Sequence, residues 1–337
     1  MRKAYQDARQ LAVAIDRSSR GRIVVSGRDR GTYLQGLFTN DIAALEAGHG
    51  CYSAYLTPQG RMISDMWVYE LGDVILLDLP SVDRKDVVLA KLDQFIFSED
   101  VQLGDVTDTF AQIGVVGPHA ARVVGALLEK PSESVSSLDE HGNLRGTIAG
   151  GDAIVTRIAD AGEPGFDLYV ERTRLDVVRQ QLASHDVGEA DSDTVDVLRV
   201  EAGIPAFHRD MDEDTIPLEA GIESQAIDMN KGCYVGQEVI VRVLHRGHGR
   251  VARKLVGLSI DGDDVPPAGA VVMSGDRQIG NVTSAVLSIA LAKPIALAYL
   301  QRDFLEPGTV VSVNGARSVV TAVPFVATES SPPVRNR

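Results

Sequence analysis

Two hydrophobic periods divide this chain, with the change near residue 250. Tyr33, Leu34 and Leu37 share one face at helical spacing, which predicts a helix over 29–37 after a first helix and a short strand at 22–26. Strands are expected at 51–56 and 62–69 around the turn Thr57-Pro58-Gln59-Gly60, and at 74–79 after Gly72-Asp73. Asp83 is placed to cap a helix running to about Phe97, with Val87, Leu89, Ala90 and Leu92 apolar. Strands near 101–106 and 111–116 lead to Pro118 and a helix over 119–128. The polar stretch 131–143 reads as a surface loop, or as a linker. A second block then repeats strand, turn, strand and helix over 152–184. Asp191-Ser192-Asp193 opens another helix, which should stop at Gly203. Beyond Arg250 the helical period gives way to short apolar runs divided by Gly and Pro, the pattern of a small barrel or sandwich.

Length and charge narrow the class. A chain of 337 residues with 44% hydrophobic content is globular and large enough for two or three domains. A net charge of −14 repels phosphates at long range, which argues against nucleic acid as a partner. No uncharged run approaches the roughly 20 residues of a membrane span, and the N-terminus has no apolar signal core. A cytoplasmic protein without a membrane partner is the expectation. The basic residues between Lys231 and Lys254 are either a solvated face or a site for a carboxylate or phosphate. Two cysteines, Cys51 and Cys233, give no disulfide framework and cannot alone hold a four-ligand iron–sulphur cluster.

Four stretches carry the chemistry. They are Leu34-Gln35-Gly36-Leu37-Phe38-Thr39-Asn40-Asp41; Gly114-Val115-Val116-Gly117-Pro118; Arg199-Val200-Glu201-Ala202-Gly203-Ile204-Pro205 with Ile216-Pro217-Leu218-Glu219-Ala220-Gly221; and Lys231-Gly232-Cys233-Tyr234-Val235-Gly236-Gln237-Glu238. In this order they resemble the folate-binding superfamily of the glycine-cleavage T-protein and YgfZ, over about residues 10–325. The Lys-Gly-Cys lead-in resembles the YgfZ branch, whose members support iron–sulphur protein maturation.

The resemblance implies an α+β, T-protein/YgfZ-like folate-binding body over 1–245, with two subdomains as one option. It also implies a C-terminal antiparallel β-barrel over 246–327, and leaves 328–337 as a disordered tail. It implies tetrahydrofolate or a folate derivative as ligand, and iron–sulphur assembly machinery or client proteins as partners. The leading expectation is therefore a folate-binding accessory factor for iron–sulphur assembly or repair. The alternative is an aminomethyltransferase or demethylase that passes a one-carbon unit to tetrahydrofolate.

Each candidate residue has a second reading. Glu201 either clamps the N–H edge of a pterin with its two oxygens or forms an ion pair at a helix end. Asn40 and Asp41 either line the ligand site or build a turn and cap. Lys231 is expected to supply positive charge, and Tyr234 to stand beside it at the ligand. Cys233 is either a reactive thiol facing a partner or a small buried hydrophobe. Asp86, in Arg84-Lys85-Asp86, either assists proton transfer or favours a helix N-terminus. His245, Arg246 and His248 read as a polar loop entering the barrel rather than a zinc site, and no metal site is expected.

Overall fold

The computed structural model describes residues 1–245 and 250–327. Two sheets form the body. The first runs Gly188–Glu189, Val13–Asp16, Phe110–Val116, Gly165–Glu171, Gly151–Ile158 and Asn143–Ile148, antiparallel except at the first pairing. The second runs Gly50–Leu56, Met62–Glu70, Ile75–Leu79, Gly21–Ser26 and Gln102–Asp105. Six antiparallel strands between Arg253 and Thr321 close into a barrel, so the fold is α+β with a C-terminal β-barrel.

The chain passes between the two sheets at two neighbouring places. Val13–Asp16 belongs to the first sheet and Gly21–Ser26 to the second. Gln102–Asp105 returns from the second sheet to Phe110–Val116 in the first. At these crossings Arg22 N–H donates to Thr107 Oγ1 at 3.0 Å, and its Nη2 donates to Thr107 O at 2.6 Å. Arg17 and Arg22 are buried beside the turn between them, while Ser19 at its tip is exposed. Apolar residues cover the outer faces. Ile113, Val115 and Leu168 pack beneath the helices Ala120–Leu127 and Leu175–Ser184, and Val25, Met66 and Val68 pack with residues of Val82–Asp93.

Local chemistry accounts for most element ends. Asp191 caps Ser192–Ala202 by accepting from Thr194 N–H at 2.7 Å, and Gly203 ends that helix at φ 73°. A side chain at Gly203 would also meet Val323 at 2.4 Å. The third helix begins two residues earlier than expected. Ser81, not Asp83, caps Val82–Asp93, because its hydroxyl accepts from Arg84 N–H; the helix stops at Asp93, short of Phe97. The stretch read as a loop over 131–143 holds a short helix, Ser132–Ser136, whose Val135 is buried in the first core. The helix Gln237–His245 was absent from the periodicity reading. The proposed polar loop of His245, Arg246 and His248 and the tail 328–337 concern side chains or segments outside the described residues.

Candidate functional site

The first and last of the four sequence stretches are one interlocked unit. The Lys231 ammonium donates to the carbonyls of Gln35, Phe38 and Asn40 at 2.7, 2.6 and 2.8 Å. It is buried, lies 5.1 Å from the Tyr234 ring centroid, and burial pushes its pKa down to about 8. All three ammonium donors therefore face backbone carbonyls. Tyr234 is likewise buried, in a cluster with Leu56, Met62 and Phe207. Asn40 donates to the carbonyls of Tyr52 and Gln225 and accepts from Asp41 N–H. Asp41 accepts from Gln35 Nε2 and Ala44 N–H. Both residues act as turn builders here.

Glu201 is fully buried. One carboxylate oxygen accepts from Tyr5 Oη at 2.6 Å and from Arg9 Nη2; the other accepts from Ser288 Oγ at 2.6 Å and Ala290 N–H at 3.3 Å. Four donors saturate it, which leaves no edge for a pterin. Its backbone carbonyl also accepts from Phe325 N–H. Glu201 thus ties the first helix, Arg2–Gln10, to the helix Ser192–Ala202 and the barrel. Here Glu201 forms an internal ion pair with Arg9, the geometry of its second reading. Burial, with the same contact, pushes the Tyr5 phenol up to about 12.

Asp86 stands apart from these residues. Its side chain is 63% exposed and pairs with Lys85, which also holds Asp105 at 2.6 Å. Asp86 is an exposed carboxylate on the helix Val82–Asp93, beyond the first turn, where Asp83 is the acidic residue. Cys233 is exposed, whereas Cys51 is buried and its thiol is pushed up to about 12 by burial.

A different carboxylate occupies the interior. The strand Met62–Glu70 carries Asp65, Trp67 and Tyr69 on one face, toward the first sheet, and Met66 and Val68 on the other. A bulge opposite Tyr55 and Leu56 precedes Asp65 and re-aims the strand. Asp65 accepts from Tyr52 Oη at 2.6 Å through one oxygen. Its other oxygen has no hydrogen-bond partner among the described residues. Burial raises its pKa, against the lowering effects of Tyr52 and Arg20. An ionisable group that is desolvated and half unpartnered is the kind of group that chemistry uses. The sequence reading passed over it, although an Asp at the centre of a largely apolar strand was the available signal.

Around it lies a buried polar layer. Gln112 Nε2 donates to Asp78 and to Asp167, each at 2.8 Å, and Tyr169 Oη donates to Asp78 at 2.8 Å. Arg17 pairs with Asp160 and Asp167, and Arg20 with Asp78. Burial, with Asp160 and Asp78 nearby, pushes Asp167 up to about 6 against the pull of Arg17.

A cavity of about 490 Å³ opens between the 206–215 segment and the barrel, with Asp210, Asp212, Thr215, Arg253, Asn281 and Tyr299 in its wall. This volume is of small-molecule size. No wall residue comes from 231–238, the segment where the sequence placed the ligand. Arg253 lies 4.6 Å from the Tyr299 ring centroid and donates from Nε to Glu219 at 3.1 Å. Thr215 O accepts from Met62 N–H at 2.9 Å, which joins this wall to the strand bearing Asp65.

Comparison with known proteins fits this architecture. The GCVT N-terminal domain model matches residues 1–231, and the glycine cleavage T-protein C-terminal barrel domain model matches 253–328. An aminomethyltransferase of Rubrobacter xylanophilus is 31% identical over 298 residues, covering 88% of this chain and 78% of that protein. One from Alkaliphilus oremlandii is 28% identical over 324 residues, covering 94% and 86%. The crystal structure of glycine cleavage system aminomethyltransferase T from Bartonella henselae superposes with a TM-score of 0.86 at 24% identity, covering 96% of this chain and 89% of that one. The relatives' names support the T-protein superfamily without singling out its YgfZ branch. By these matches, which together span nearly the whole chain, the protein belongs to the glycine-cleavage T-protein (GCVT) family.

Proposed function

We propose that this protein is a folate-dependent one-carbon transferase of the aminomethyltransferase type, with Asp65 as its acid–base group. Aminomethyltransferases of this family use tetrahydrofolate as substrate or cofactor. The observation that carries the reading is the half-unpartnered, buried carboxylate of Asp65, held by Tyr52 on a strand face between the sheets. When a methylene unit moves from an aminomethyl donor to tetrahydrofolate, two C–N bonds form at two folate nitrogens, and the carbon's bonds to the donor's amine and to its carrier both break. Each folate nitrogen loses a proton, one taken up by the leaving amine and the other by the released carrier atom. A carboxylate beside the reacting nitrogen takes the first proton and can return it to the leaving amine. Arg253, in the wall of the cavity, supplies a cation for the anionic end of a folate.

The test is direct. The purified protein is expected to bind tetrahydrofolate in equilibrium dialysis and to form methylene-tetrahydrofolate from an aminomethyl donor. Absence of both at millimolar ligand would refute the reading.

A second reading is favoured by one observation, the exposed thiol of Cys233. It is the accessory role in iron–sulphur protein assembly, with the thiol facing a client or assembly partner. Cys233→Ala would then lower client iron–sulphur enzyme activity in cells while tetrahydrofolate affinity persisted. Unchanged client activity would remove this reading.

A further inference from the structure

Arg20 is a charged residue that neither the sequence motifs nor the reaction just described has used. It lies in the turn where the chain crosses between the sheets, and its side chain is 13% exposed. The guanidinium carbon stands 4.2 Å from the Trp67 ring centroid, and Nε donates to Asp78 at 2.8 Å. Trp67 and Asp78 are register partners on adjacent strands, so two contacts fix the guanidinium over one patch of the second sheet. Asp65 is two residues before Trp67, on the same face of the same strand. Among the described residues, neither Arg20 Nη2 nor Asp65 Oδ1 has a hydrogen-bond partner.

We propose that Arg20 is a positioning residue for Asp65: anchored by Asp78 and Trp67, it keeps that carboxylate ionised and ready to accept a proton without touching the reacting atoms itself. This rests on the reading of Asp65 as the acid–base group. The charged and titratable groups that face Asp65 set the balance. Tyr52, on Gly50–Leu56, donates to it. Asp78, on Ile75–Leu79, opposes its ionisation, and Arg20 favours it. Arg84, on the helix Val82–Asp93, reaches only the carbonyl of Ile63 on this strand and pairs with Glu213. From the first sheet, Gln112 and Tyr169 donate to Asp78 and restrain its charge. Burial raises the Asp65 carboxyl, and Arg20 is the cation that counters it. A purely structural Arg20 would serve only to neutralise Asp78 and Asp160, the latter at 3.9 Å. The electrostatic role requires in addition that Asp65 respond when the charge is removed and the shape is kept.

The experiment is a pH titration of the Asp65 carboxyl by ¹³C NMR in the full-length protein, with the signal assigned through Asp65→Asn. Arg20→Gln and Arg20→Met should raise the Asp65 midpoint by about one pH unit or more, a tenfold change in acid constant. Arg20→Lys should keep it within about half a unit of the parent, since the charge is retained. The acid limb of the pH–rate profile should move with it in each variant. Arg20→Gln keeps a donor for Asp78, so it serves if Arg20→Met fails to fold. An unmoved Asp65 midpoint in folded Arg20→Gln overturns the proposal. If the parent protein shows no tetrahydrofolate-dependent turnover, the transferase reading fails, while the titration still decides the role of Arg20.

Discussion

Glu201 and Asp65 are both buried carboxylates on regular elements, yet their surroundings differ in kind. Glu201 receives four donors, drawn from the first helix and from the barrel end. Asp65 receives one, and its second oxygen has no partner among the described residues. A saturated carboxylate has no lone pair left to recognise anything, and removing it strands its partners. A half-satisfied one carries a desolvation penalty that folding alone does not repay, and a ligand or proton can relieve that penalty. The first region therefore holds the domains together, and the second is where chemistry belongs.

This contrast can be broken in order of effect. Glu201→Ala should lower unfolding free energy by about 2–4 kcal/mol, because Tyr5 and Ser288 lose a buried acceptor while Arg9 keeps Glu163. Urea unfolding measures this, and a loss below about 1 kcal/mol would mean the junction is slack. Lys231→Met should lower it by about 2–4 kcal/mol, since three carbonyls lose a charged donor. The same method checks it, and a neutral outcome would reopen Lys231 as a ligand group.

Asp167 gives a pH-dependent effect. Its carboxyl, raised to about 6, protonates more readily folded than unfolded. The stability it contributes is full below the unfolded value of about 4 and is lost as pH rises through 6, on the order of 3 kcal/mol. Asp167→Asn should flatten the urea midpoint across that window, and an unchanged slope would contradict the shift. Cys233→Ala, at an exposed position, should change stability by less than about 0.5 kcal/mol.

Local signals were legible where they act over a few residues. Asp191 and Gly203 bracket their helix by chemistry visible in the sequence, and the Gly/Pro punctuation after residue 250 announced the barrel strands. Ser81 and Asp83 both suit a cap, and only the backbone at Arg84 chooses between them. The burial of Lys231 and the fate of Glu201 were not legible. Their partners lie 191–196 and 87–196 residues away, so no spacing could show that their hydrogen-bonding capacity was already filled. Asp65 was missed for the opposite reason. Its strand was expected, but it matches no motif in the four stretches, and its significance lies in a partner that is lacking.

One comparison tests the division most directly: single-turnover formation of methylene-tetrahydrofolate by Asp65→Asn and Glu201→Gln beside the parent protein. The account predicts a loss of about 10²–10⁴-fold for Asp65→Asn with its fold retained, and a near-parental rate for Glu201→Gln at temperatures where it stays folded. A fast Asp65→Asn, or a folded Glu201→Gln that is slow and binds folate poorly, would contradict it.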